Sequence, residues 1–203
     1  MDSSLQQLPG YQVNEYKIVL VPHQELANKI KEIRTVFNER LKIEKPISSV
    51  PEVILTTFKQ HQMNEERIIN RLKIIAMAQP EIKVEIKDFG SFPTHSIFLN
   101  VTSKVPLSLL VKSVSSNASA LLKLNSDKTP HFFKDFYIAI VRRLKPWQYE
   151  EGWKEFEHKN FTGRFIASRM LLMRRKEGEF KYKPIETFDF QNLPVDTVQG
   201  SLF

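Results

Sequence analysis

The chain has 203 residues, 41% of them hydrophobic and 26% charged, a composition that excludes disordered and collagenous classes and suffices for one well-buried domain. It contains no cysteine, which excludes disulfides, cysteine-ligated zinc and thiol catalysis together. A formal charge of +7 and a pI near 9.5 favour polyanionic partners such as RNA, DNA or nucleotides, with solubility as the plainer use of the same charge. Met1–Tyr11 lacks the basic-then-apolar order of a secretory leader, and no segment reads as the roughly 20 apolar residues of a membrane span. The expectation is therefore a cytoplasmic protein with no membrane partner.

Residues 1–14 read as a flexible N-terminus. Glu15–Val21 reads as a strand, ended by Pro22, which cannot donate to a ladder. His23–Lys42 follows as an amphipathic helix, because Leu26, Ile30, Ile33, Phe37 and Leu41 recur at three- and four-residue spacing. After a loop at Lys45–Ser49, Pro51–Phe58 is a short strand that leads toward Lys59 and His61. Asn64 suits the N-cap of a helix reaching about Met77, with Arg67, Arg71 and Lys73 wet and Ile68, Leu72, Ile74 and Ile75 nearer the core.

Glu81–Phe89 alternates charged and apolar residues, Gly90–Pro93 makes a turn, and His95–Val101 returns as the second strand of a hairpin. A helix over Leu107–Leu124 opens at Pro106, and Asn125–Pro130 is a loop. Asp135–Pro146 is a run of β-formers that turns basic at Arg142, Arg143 and Lys145, before a helix from Pro146 or Trp147 to Phe156. Strands at Phe161–Ala167, Met170–Arg175 and Glu179–Phe190 complete the pattern, and residues 191–203 form a tail without one. Met170–Met173 reads as core. This order predicts an α+β fold, a single bilobal domain over 15–190, with two quasi-equivalent lobes of mostly antiparallel sheet around a central groove and helices outside.

The element order, with Phe89-Gly-Ser-Phe-Pro-Thr-His-Ser-Ile-Phe, Ile140-Val-Arg-Arg-Leu-Lys-Pro-Trp and Phe161-Thr-Gly-Arg-Phe, resembles the 2H phosphoesterase superfamily and in particular its 2′-5′ RNA ligase-like branch. The resemblance implies two His-x-Thr motifs, one on a central strand of each lobe, facing across the groove. One histidine takes a proton from the attacking hydroxyl, the other gives one to the leaving oxygen, and the threonines hold the phosphate. Carried over by position, the motifs fall on Glu52-Val53-Ile54 and Tyr137-Ile138-Ala139, so both histidines and both threonines are replaced. Ile54 and Ala139 offer no hydrogen-bond donor, Glu52 repels phosphate as an anion, and Tyr137, with a reference pKa of about 10, is a poor base at neutral pH.

The resemblance thus implies a degenerate site that binds RNA, a nucleotide or another phosphorylated ligand without turning it over. No cofactor and no metal are implied, since nothing has metal-ligand spacing or a glycine-rich phosphate loop. Lys59, His61, Arg142, Arg143 and Lys145 are the candidates for a basic rim, with Phe58, Trp147 and Tyr149 available for stacking and Trp147 inclined to pack beneath its helix. One alternative is an active phosphodiesterase or RNA end-processing enzyme using Glu52, Tyr137 and His61. The other is a protein-interaction module that keeps only the fold. His95 and His131 lack a hydroxyl residue two positions on.

Overall fold

Alternation along the first strand sends Tyr16, Ile18 and Leu20 to one face and Lys17 and Val19 to the other, and all five are buried. That strand is therefore covered on both sides and central to its sheet. A computed structural model describes residues 10–194, so the sequence readings of 1–9 and 195–203 lie outside the described residues. In chain order the elements are β1 (Val13–Leu20), α1 (Gln24–Leu41), β2 (Val53–His61), α2 (Glu65–Met77), β3 (Ile82–Phe92), β4 (Ser96–Val101) and α3 (Lys104–Leu122). There follow β5 (His131–Phe132), β6 (Tyr137–Arg142), α4 (Pro146–Phe156), β7 (Thr162–Ala167), β8 (Arg169–Lys176) and β9 (Lys183–Asp189).

The strands form two antiparallel sheets, one in the order β5-β2-β1-β8-β9 and the other β6-β4-β3-β7. Helices α2 and α3 pack on the five-stranded sheet, while α1 and α4 pack against the four-stranded one. The α+β architecture of two lobes expected from the sequence is thus present. The lobes are not successive halves of the chain, however, because the chain crosses between sheets after β2, β4, β5 and β7.

Local chemistry explains the element ends. His23 caps α1 by accepting from the Leu26 amide at 3.4 Å, and Lys42 closes it in the left-handed region at φ 48°. Pro146 opens α4, where a missing N–H costs nothing, and the Gln148 side chain accepts from the Lys145 amide at 2.9 Å. Pro106 likewise falls in the first turn of α3, which starts at Lys104 and runs through Ser113–Asn117 as helix. By length and composition α3 could cross a membrane, a nearer approach than the sequence reading allowed; here its stripe of Leu107, Leu110, Val114, Ala118 and Leu122 is buried.

Other boundaries move for identifiable reasons. β2 continues to His61, carrying Lys59 within the strand, because β1 pairs with it as far as Val13. β3 continues through Gly90 to Phe92, and Gly90 is used there because a Cβ would stand 2.6 Å from the Phe98 ring. A short 3-10 turn over Gln62–Asn64 leads into α2, so Asn64 makes no side-chain cap. Ile74 is 49% exposed and not in the core. β9 starts at Lys183, later than Glu179, and β5 is too short for periodicity to reveal.

Candidate functional site

The first motif position lies at the entrance of β2. There Glu52 accepts from Lys17 Nζ in an ion pair whose side chains are 6% exposed for the lysine and 12% for the glutamate. Lys17 belongs to the β1 face that also carries Val19, and burial holds its pKa below the ordinary lysine value. Glu52 opposes that shift, while Arg142 and Arg175 reinforce it. Four charges from β1, β2, β6 and β8 therefore sense one another in a single place.

The second motif position is held from behind. Arg34, on α1, is buried, and its Nε and Nη2 donate to the Ala139 carbonyl at 3.0 and 2.8 Å while Nη1 donates to the Ser49 carbonyl at 2.6 Å. One guanidinium thus ties the segment entering β2 to the middle of β6. Burial pulls its pKa down to about 10, with Glu52 opposing and Arg142 adding to the shift, so it stays charged at neutral pH. Ile54 is half-buried on β2 and Ala139 buried on β6, and neither offers a side-chain donor.

Beyond Lys17 the same face is laced by ion pairs. Glu15 accepts from Arg175 and lies 3.2 Å from Lys59, which also donates to Glu177 at 2.6 Å. Burial would raise the Glu15 pKa, but Arg175 and Lys59 outweigh it and hold the carboxyl below the usual range. The Tyr182 ring lies 4.4 Å from Lys17 Nζ and 4.6 Å from the Arg175 guanidinium, a cation–π clamp on both. Arg142 is exposed and, among the described residues, makes no ion pair.

Tyr137 makes no hydrogen bond to Glu52 among the described residues. It packs instead with Phe98 at a centroid distance of 4.7 Å and edge-on to Phe92 at 5.5 Å. These three rings, with Asn100 and Lys87, line an open cavity of about 580 Å³. Among the described residues no three His, Asp or Glu side chains converge as metal ligands.

The remaining candidates divide. Lys59 is in the laced face, whereas His61 points to the chain end, its Nδ1 2.8 Å from the Tyr11 carbonyl. Arg143 is exposed at a φ of 59°, and Lys145 pairs with Glu44 at 2.6 Å beside α4. Phe58 is unavailable for stacking, being 4% exposed and stacked on Tyr16 at 5.1 Å. Trp147 is 53% exposed and so not beneath its helix, and Tyr149 hydrogen-bonds to Ser91 at 2.9 Å. His131 and His95 are both exposed.

Sequence reasoning missed Lys17, Arg34, Arg175 and Tyr182. Two left a signal: Lys17 alternates with Tyr16 and Ile18 inside an apolar strand, and Arg34 interrupts the stripe between Ile30 and Phe37. A charge at a core position announces a partner. Arg175 and Tyr182 left none, because they look like any wet strand and loop residues.

No protein-family model matches the chain, and a comparison with curated proteins finds no match. Solved structures do match. LigT of E. coli complexed with 3′-AMP superposes with a TM-score of 0.65 at 12% identity, covering 88% of this chain and 99% of that one. A phosphoesterase gives 0.64 at 12% identity over 87% and 98%. The protein TT0787 of Thermus thermophilus gives 0.59 at 14% identity over 87% and 98%. The chain has the LigT fold, over nearly the whole of those proteins.

Proposed function

We propose that this chain is a 2′-5′ RNA ligase/cyclic phosphodiesterase-like protein that binds RNA, a nucleotide or another phosphorylated ligand in its groove and does not run the two-histidine reaction. One observation carries the reading: Glu52, where the first histidine would stand, is bound to Lys17 among Arg142, Arg175 and Arg34. A carboxylate in that ion pair supplies no imidazole to pass a proton, and Arg142, the cation there without an acidic partner among the described residues, is left for an anion. Tyr137 and the two phenylalanines beside it supply a surface on which a base can stack. Structures of LigT with 3′-AMP and with ATP support a nucleotide as the first ligand to try.

On this reading Glu52 is an internal counter-anion that competes with the ligand. Calorimetric titration of 3′-AMP and ATP is expected to show binding that weakens in Arg142→Ala. In Glu52→Gln it should tighten on the order of tenfold, since one repulsive charge beside the phosphate is removed. No hydrolysis of 2′,3′-cyclic AMP is expected. Turnover by the wild type that disappears in Glu52→Ala/Tyr137→Phe would establish the active-enzyme alternative. Absence of all nucleotide binding would leave the interaction module.

A further inference from the structure

Adjacent residues of β2 point to opposite faces of its sheet, so Lys59 serves the groove while Gln60 points toward the helices. Gln60 forms part of a second cleft, of about 620 Å³, between α2 and the end of α3. Its charged lining is Arg67, Arg71 and Lys123, its polar lining includes Asn64, Asn70 and Asn117, and no carboxylate lines it among the described residues. All of these but Gln60 and the half-buried Asn64 are exposed, and none of the three cations pairs with a carboxylate among the described residues. Of the other arginines, Arg40, Arg169, Arg174 and Arg175 each face an acid, while Arg34, Arg142, Arg143 and Arg164 make no ion pair among the described residues.

The cleft is built, not merely charged. Gln60 is 3% exposed, and its Nε2 donates to the Leu121 and Lys123 carbonyls at 2.9 and 3.0 Å, occupying end carbonyls of α3 that would otherwise repel an anion. Asn64 stands at the opposite wall, at the N-terminal and therefore positive end of α2. Across the ladder from Gln60 lies Asn14, 1% exposed, whose amide atoms have no hydrogen-bond partner. The floor is polar.

We infer that this cleft binds the phosphodiester backbone of single-stranded RNA, as a site separate from the groove. Arg67 and Arg71 are one helical turn apart, with side chains rooted about 5–6 Å from each other, so both can engage one phosphate or two in succession. The asparagine amides both donate and accept, which suits the 2′-hydroxyl, itself donor and acceptor. A basic cleft that tracks a backbone is the arrangement that holds a single strand. Glu52 stands at the entrance of β2 and Gln60 near its far end, so a polymer running along β2 and around its end reaches both sites, and a mononucleotide reaches one.

The test measures binding of a fluorescent single-stranded RNA 12-mer across 50–200 mM salt by anisotropy. Wild type is compared with Arg67→Gln/Arg71→Gln/Lys123→Gln and with an equally charged control, Lys29→Gln/Lys45→Gln/Lys154→Gln. The cleft variant should lose tenfold or more in affinity, and its salt slope should fall by about 2, the loss of three phosphate contacts. Its 3′-AMP titration should match wild type, which separates this site from the groove reading. Equal losses in cleft and control variants, or no RNA binding by wild type at 50 mM salt, overturns the inference. So does displacement of the RNA by polyglutamate at equal charge concentration, which would mark the cleft as a site for acidic peptides.

Discussion

Tyr16 shows how far one buried phenol can report on this fold. It is wholly buried, stacks on Phe58, and donates to Glu65 Oε2 at 3.1 Å, with Arg174 Nη1 on the same carboxylate at 2.9 Å. Burial pushes its pKa up to about 12, and the Glu65 charge adds to the effect. Between pH 10 and 12 the folded state therefore keeps a proton that the unfolded chain has lost, so stability falls as pH rises, by about 1.4 kcal/mol per unit. Arg34, lowered to about 10, acts in the opposite sense over the same range but is common to wild type and variant. Tyr16→Phe should cost about 1 kcal/mol near neutrality through the lost hydrogen bond, and that deficit should shrink and reverse as pH rises through 10 and 11. Urea midpoints of both proteins at pH 8, 10 and 11 measure it; parallel curves would show that the phenol ionises as freely folded as unfolded.

At the scale of elements, strand alternation and helical stripes were legible, and the corrections occur where backbone geometry answers to a neighbour. Gly90 reads as a turn residue in the sequence, yet it lies inside β3, paired to Phe98, because the ring occupies the place of a side chain. The strands that carry the motif positions were legible because Pro51 and the basic end of β6 frame short runs of β-formers, but β2 is interior to its sheet whereas β6 is the edge strand of the other, not the central strand that the resemblance implies. What could not be read was the partner of each charge. Lys17 and Glu52 are 35 residues apart, and only the β1–β2 register brings them together. Gly90→Ala tests the element-level account: the added methyl meets Phe98 Cε2 at 2.6 Å and Asn100 Oδ1 at 2.7 Å. Overpacking of this kind costs about 1–3 kcal/mol, read as a lower urea midpoint, and it displaces the Phe98 ring against which Tyr137 packs. A variant as stable as wild type would mean that β3 yields there without cost.

Across the whole molecule, Arg34 ties β6 of the four-stranded sheet to the loop that enters β2 of the five-stranded one, and the positions carried over from the resemblance lie on or next to those two strands. If the carry-over of positions is right, the lost chemistry is restorable, but not by the motif residues alone. Glu52→His removes the partner of Lys17, and breaking a buried ion pair by losing one member costs about 3–5 kcal/mol. The lysine left behind would also hold the new imidazole neutral by charge repulsion, so it could act as a base but not as an acid. The quadruple variant Glu52→His/Ile54→Thr/Tyr137→His/Ala139→Thr should therefore be destabilised and inert toward 2′,3′-cyclic AMP. Adding Lys17→Leu, which removes the orphaned buried charge and leaves a side chain that packs on the Tyr182 ring, should recover the thermal midpoint and bring measurable turnover, fastest near neutral pH where one histidine is protonated and the other is not. A quintuple variant that folds and binds 3′-AMP yet releases no product at any pH would show that these four positions are not the ancestral catalytic ones.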